Sequence, residues 1–466
     1  MSSNWSVKKL GDLVTFLSGG TPSKSNKDYW NGEIPWISAS SMQSTRYHDS
    51  DLRVTSLGST NGTRLVPAET VLLLVRGGAL HNKIPVGITT REVTFNQDVK
   101  ALVPKSEDIT PYYLLAWLIS SRELLLGKVE NTGIGAGKLD TKILQDLDVP
   151  VPPKAELLRL ELFSKALDDK IILNQNINHT LEQMAQALFK SWFVDFEPVK
   201  AKMALLEAGG SQEDATLAAM AAISGKDAYA LAVFEREHPE QYAELKTTAE
   251  LFPSAMQDSE LGEIPEGWSI KPLDGIATYQ NGLALQKFRP ENENDFLPVV
   301  KIAQLKKGFS DGEEKASPNI KPECIIDNGD VVFSWSGSLM VDIWCGGKAA
   351  LNQHLFKVSS TKYPKWLYYK YTAHHLIEFQ RIAEAKAVTM GHIKREHLSQ
   401  AKCLMPSSET VHAFTPFFEP VLNKVISNRL ETRKLENIRD TLLPKLLSGE
   451  ITLPEAEQAV SEVENV

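Results

Sequence analysis

A long-range repeat constrains this chain more than any single motif. The stretch WSVKKLGDLVTFLSGG beginning at Trp5 returns as WSIKPLDGIATYQNGL beginning at Trp268, with Trp, Ser, Lys, Leu, Thr and Gly identical at a constant offset of 263 residues. The same offset carries IPWIS (Ile34 to Ser38) onto LPVVK (Leu297 to Lys301). Further matches follow in order: ETVLLLVRGG with NGDVVFSWSGS, then TFNQDVKALVP with AALNQHLFKVS, which share Asn96-Gln97 and Asn352-Gln353. From GKLDTKILQDLDVPVPP to GHIKREHLSQAKCLMPSS the offset becomes 254, pairing Gly137 with Gly391 and Pro152 with Pro406. Repetition of a unit this large means two copies of one domain, each with its own core.

A helical stripe closes each copy. In the first, Leu167, Ile171, Asn174, Ile177, Leu181, Met184, Leu188 and Trp192 recur at the three-and-four spacing of a packed helix face. In the second, Val421, Val425, Asn428, Glu431, Leu435, Ile438, Leu442 and Leu446 fall at the equivalent positions, and Ile177/Glu431 is the one pair that differs in character. Two equivalent stripes predict an intramolecular pair that holds the halves apart, with Asn174 and Asn428 setting its register as buried polar residues do in coiled coils. Ahead of each helix, short strands such as VLLLV, VGITT, DVVFSW and LFKVS alternate with Gly-rich turns, followed by one helix at PYYLLAWLISSRELL or YPKWLYYKYTAHHLI.

The expected class is therefore α+β: two tandem mixed α/β domains separated by two long helices in a coiled-coil-like pair. The expected boundaries are a first domain at 1–152, a central helix at 153–196, an acidic helical, solvated insertion and linker at 197–263, a second domain at 264–407, a distal helix at 408–451 and an acidic tail at 452–466.

The net charge of -9 argues against a nucleic-acid partner until its location is considered. Residues 197–263 carry -8 and the last 14 residues carry -4, which leaves a weakly basic body of about +3 that can approach phosphates. Apolar runs such as VLLLV are too short to span a membrane, and MSSNWSVKK lacks the apolar stretch of a signal peptide, so a cytoplasmic location is expected. Cys324, Cys345 and Cys403 form no C-x-x-C pair and read as buried thiols, and His374-His375 read as structural. TGIGAGK at 132–138 fails the phosphate-loop pattern at both ends, because Thr132 replaces the first Gly and Leu139 the Ser or Thr after Lys. Glu-x-Lys at 313–315 lacks a metal-binding Asp partner, and there is no G-x-S-x-G elbow or methyl-donor loop. The pattern is that of a binder without chemistry of its own.

The Trp-x-hydrophobic-x-x-Leu start of each half, DSELGEIPEGW before the second half, LNQNINHTLEQMAQALFKSWFVDFEPVKAKM in the middle and NRLETRKLENIRDTLLPKLLSGEI near the end resemble the specificity subunit of Type I restriction-modification systems over nearly the whole chain. The resemblance implies two target-recognition domains reading the halves of a bipartite sequence in double-stranded DNA. It also implies that the two long helices form an antiparallel pair that sets their separation and docks two modification (methyltransferase) subunits, with restriction (ATP-dependent translocase and nuclease) subunits joining them. S-adenosylmethionine, ATP and Mg would then sit on those partners, with no cofactor or metal held by this non-catalytic chain. A helical interaction scaffold without sequence-specific DNA binding and a single-chain modification enzyme are the alternatives.

DNA readers combine phosphate contacts with base-edge contacts, which favours Gly-bordered loops rich in Arg, Lys, Asn, Gln, Ser and Thr. In the first half these supply Thr21, Ser23, Lys24, Ser38, Ser40, Arg76, His81, Asn82 and Lys83. In the second they supply Gln286, Lys287, Arg289, Lys301, Gln304, Lys306, Ser334 and Ser336. Arg76 aligns with Ser336, a divergence expected where two halves read different bases, so it heads the list. The shared Asn-Gln pairs are assigned to turns. Helix pairing and partner docking are assigned to Leu167, Ile171, Asn174, Leu181, Leu188, Val425, Asn428, Leu435 and Leu442.

Overall fold

The structure, a computed structural model, describes residues 5–132, 135–292, 294–310, 312–385 and 391–464. The turn at 132–138 and its repeat partner at 387–393 thus lie partly outside the described residues. The chain divides into two units, Met1–Leu173 with Glu431–Val466, and Asn174–Leu430.

In the first unit a five-stranded sheet runs in the order Val14–Ser18, Val99–Pro104, Val71–Leu74, Val86–Thr89, Arg46–Tyr47. Its central strand, VLLL, is buried at every residue, as a continuous apolar run demands. A four-stranded sheet follows the order Arg53–Val54, Trp30–Ile37, Val93–Phe95, Arg64–Val66, and Ser6–Lys9 pairs with Asp148–Val151. The second unit repeats this plan. Thr278–Asn281, Leu355–Ser359, Val331–Ser334 and Met340–Ile343 form one sheet. Lys315–Ala316, Leu297–Val300, Ala349–Leu351 and Ile325–Ile326 form the other, and Ser269–Pro272 pairs with Lys402–Met405. Even the unusual parallel pairing is reproduced, Trp36 opposite Thr94 and Val299 opposite Ala350.

One glycine shows why the repeat keeps its identities. A Cβ on Gly19 would lie 2.2 Å from the Phe95 carbonyl oxygen, and one on the equivalent Gly282 would lie 2.2 Å from that of Leu351. No side chain fits between strands that approach this closely.

The stretch PYYLLAWLISSRELL forms two helices, Pro111–Ser120 and Arg122–Leu126, the first opened by Thr110, whose hydroxyl accepts from Tyr113 N at 3.1 Å, with Pro111 in the first turn. Its counterpart is the single helix Lys365–Ala385. The central helix runs Lys154–Phe193 and the distal helix Ser408–Ser448. Gly449, with φ of 72°, ends the latter, its N–H bonding to Leu446 O at 3.1 Å.

Within each unit the two helices are antiparallel. In the first, Leu157 and Leu160 share a core with Leu443, Leu446 and Leu447, while further along Leu167 and Ile171 pack on Leu435. In the second, Asn178 meets Val425 and Asn428, and Trp192 meets Phe414, Phe417 and Phe418. Glu431, the mismatch in the stripe, forms an exposed ion pair with Lys170 at 3.2 Å.

The stripe itself needs a correction. Met184 is 59% exposed, whereas Asn178, Ala185 and Phe189 are buried. The stripe takes two steps of three in succession, from Ile171 to Asn174 to Ile177, whereas a packed face that alternates steps of four and three leads from Leu167 to Asn178 and Ala185. Asn428 bonds to Asn178 rather than to Asn174, although Asn174 is also buried. Leu181, Leu188 and Leu442 are half-buried.

The insertion forms four helices, Glu197–Glu207, Gln212–Ser224, Ala228–Glu237 and Pro239–Glu250, and is less solvated than expected: Ala219, Met220, Leu231, Leu245 and Ala249 make a small core of their own. Its linker is a hairpin, Met256–Ser259 with Gly262–Pro265. The acidic tail is also structured, as a helix Leu453–Glu464 whose Ala456 is fully buried in the first unit's core. Cys324, Cys345 and Cys403 are free and buried. Among the described residues no single helix is long and apolar enough to cross a membrane.

Candidate nucleic-acid interface

Strand pairing gathers the Gly-bordered loops at one place in each unit. In the first, Gly20 N bonds to Phe95 O at 2.9 Å, and the Thr21 hydroxyl donates to Gln97 Oε1 at 2.8 Å. Arg76 N reaches Asp98 O at 3.3 Å, the Lys83 ammonium donates to Gln43 Oε1 at 3.1 Å, and the His81 ring lies 3.0 Å from Gly135 O. Loops at 19–25, 38–43, 76–83, 96–98 and 135–138 are thereby held together. Ser23, Lys24, Ser40, Arg76, His81, Asn82 and Lys83 are exposed, and Thr21 and Ser38 half-exposed. Arg76 lies opposite Lys138 across a strand pair, so two cations stand side by side. Lys138 is held 3.0 Å from Asp140, leaving Arg76 the more available of the two.

The second unit assembles its loops equivalently. Leu283 N bonds to Leu351 O at 2.9 Å, Gln353 N to Leu283 O at 3.0 Å, and the Lys306 ammonium donates to the Ser338 hydroxyl at 2.7 Å. Gln286, Lys287, Arg289 and Lys306 are exposed. Four expected readers are placed otherwise. Ser334 and Ser336 are 0% and 2% exposed, because the first ends a strand buried at every residue and the second is tucked back by Ser334 Oγ, which donates to Ser336 O at 3.1 Å. Neither offers its hydroxyl at the surface. The Gln304 amide oxygen accepts from Lys301 N at 3.2 Å, capping the short helix Ile302–Lys307, and the Lys301 ammonium is paired with Glu314.

The sequence reading missed residues the fold brings to the same place. Ser336 Oγ lies 3.0 Å from His354 Nδ1, and Trp335 stands beside His354 and His392 with ring centroids 5.8 and 6.3 Å away. The shared Asn-Gln pair divides its work. Asn96 Oδ1 accepts from Asp98 N at 3.1 Å and Asn352 Oδ1 from His354 N at 3.2 Å, so each Asn builds a turn as expected. Gln97 and Gln353, set aside with them, instead stand among the gathered loops.

Residues 2–183 and 265–438 match the family model of the Type I restriction modification DNA specificity domain, once for each repeat. The HindI specificity subunit of Haemophilus influenzae is 30% identical over 362 residues, covering 75% of this chain and 79% of that one. The MjaIX specificity subunit of Methanocaldococcus jannaschii is 25% identical, with 97% and 94% covered. A crystal structure of the Type I system S subunit from M. genitalium aligns over 96% of both chains at 12% identity, with a TM-score of 0.48. With the family model matched twice and a relative this similar over three quarters of its length, the chain belongs to the specificity subunits of Type I restriction-modification systems.

Proposed function

We propose that this chain reads a bipartite DNA sequence, one half through the loops of each unit, and that its helices dock two modification subunits, with restriction subunits joining the complex. Methyl transfer and cleavage are carried by those partners, which hold S-adenosylmethionine, ATP and Mg. The observation that carries the reading is that one scaffold is built twice with different side chains at equivalent places: Arg76 and Lys138 face each other across one strand pair, and Ser336 and His392 across its counterpart. A duplicated reader with divergent tips suits an asymmetric, two-part target. A helical interaction scaffold accounts for the paired helices but not for that divergence.

Long-read mapping of modified bases, in the parent and in a strain lacking this chain, tests the proposal. A split motif with a fixed spacer should lose its methylation on deletion, and exchange of residues 1–152 should alter one half of the motif alone. If the deletion changes no modified motif, and the chain also fails to co-purify with a modification subunit, the proposal falls.

A further inference from the structure

Each sheet domain is tied to the helix pair of its own unit by a three-way ionic junction, and the two junctions have opposite polarity. In the first unit the centre is an acid, Asp168 of the central helix. It is ion-paired with Arg46, accepts from the Thr45 hydroxyl at 2.9 Å to both oxygens, and lies 3.8 Å from Arg439 of the distal helix. Arg46 extends its second nitrogen to Asp169 at 2.9 Å. In the second unit the centre is a base, Arg429 of the distal helix. It donates to Asp342 at 2.7 Å, to Ile343 O at 3.0 Å and to Glu182 of the central helix at 2.9 Å.

The two junctions differ in depth. The first is nearly sealed from water, with the side chains of Arg46, Asp168 and Arg439 11%, 5% and 7% exposed, and the second is part-buried, with those of Arg429, Asp342 and Glu182 27%, 24% and 42% exposed. Buried ionic contacts add little net stability but demand one geometry, and a guanidinium fork shared between two acceptors fixes an angle that apolar packing leaves free to slide. Both junctions also sit a few residues from the gathered loops. Arg46 lies on an edge strand six residues beyond Ser40, and Asp342 on an edge strand six residues beyond Ser336. Opposite polarity further sorts two domains of similar shape: Arg46 set against Arg429, or Asp342 against Asp168, would bring like charges together.

We propose that Asp168 and Arg429 are positioning residues that fix the angle at which each domain presents its loops to DNA, and so govern how strictly the spacer between half-sites is measured. The proposal rests on the bipartite reading above. It is tested with the full chain in complex with its modification subunits, comparing methylation kcat/KM on duplexes whose spacer is native, one base pair longer or one shorter. In Asp168→Asn and in Arg429→Met the preference for the native spacer should fall at least tenfold, while discrimination against single-base changes within each half-site stays as in the wild type. A purely stabilising role would lower turnover on every duplex by one factor, and an unchanged spacer preference overturns the proposal. Should either variant fail to assemble, Arg46→Lys keeps the charge but not the fork to Asp168 and Asp169. It carries the same expectation, and an unchanged spacer preference in it is equally fatal. A wild-type complex that methylates without a two-part sequence preference overturns the underlying reading instead.

Discussion

Asn428 donates its side-chain amide to Asn178 Oδ1 at 2.9 Å, and Asn178 in turn donates to the Val425 carbonyl at 3.2 Å, both side chains being buried between the two long helices of the second unit. The chain of bonds is directional and has one register. Replacing Asn178 alone with Leu leaves the Asn428 amide buried without its acceptor, at a cost of about 1–3 kcal/mol. The double variant Asn178→Leu/Asn428→Leu removes the orphan and should recover most of that loss. Urea unfolding of both single variants and the double gives the coupling; a double variant as unstable as the sum of the singles would show that the two amides act independently.

The leucine stripe divides into positions that tolerate charge and positions that do not. Leu435 is 6% exposed among Leu167 and Ile171, so Leu435→Asp strands a carboxylate in an apolar contact and should cost more than about 3 kcal/mol. Leu181 is half-buried, and an aspartate there reaches water. Leu181→Asp should cost about 1–2 kcal/mol in fold stability, and a larger loss in co-purification with modification subunits would then report docking rather than unfolding. Equal melting losses in the two variants would refute the distinction.

What the sequence disclosed, and what it hid, follows from the range of the interactions. The duplication and the helix that closes each half were legible because repeats and stripes are local patterns copied in the same order. Asn178 was not, since the apolar Ile177 beside it competes for the same place in the stripe and a polar residue carries no local sign of burial. Thr452-x-x-Glu455 did carry its signature: Glu455 bonds back to Thr452 N at 2.6 Å and to its hydroxyl at 2.8 Å, opening the helix that a charge count had made a tail. Burial of Ser334 and Ser336 depends on which loop folds over which, and the Arg46–Asp168 pair joins residues 122 apart, so neither leaves a mark in local sequence.

The loop chemistry predicts different outcomes at aligned positions. Arg76 is exposed at the gathered loops of the first unit, so Arg76→Ala should weaken binding by about 1–3 kcal/mol and relax specificity within one half-site. Ser336→Ala, at a buried hydroxyl, should leave DNA affinity unchanged. Lys24→Ala should weaken binding to all sequences alike and reduce the salt slope by roughly one ion. Anisotropy titrations of matched and half-site-altered duplexes at several salt concentrations separate the three, and a uniform loss for Arg76→Ala would reassign it to a phosphate contact.

His375 makes the second unit sensitive to acid. It lies on the helix Lys365–Ala385, its Nε2 3.0 Å from Lys402 O and 3.9 Å from Cys403 Sγ. Burial, reinforced by the neighbouring His374, lowers its pKa from the usual 6.5 to about 4, against a smaller opposing effect of the Lys402 carbonyl. The folded chain therefore keeps the ring neutral while the unfolded chain protonates it below about 6.5. Its contribution is intact above that pH and is lost as the pH falls toward 4, at up to about 1.4 kcal/mol per pH unit. His375→Gln keeps a donor for Lys402 O but does not titrate. Between pH 7.5 and pH 5 the wild type should lose about 2 kcal/mol more than the variant in urea unfolding of the second unit, and parallel losses would show that His375 is not the group responsible.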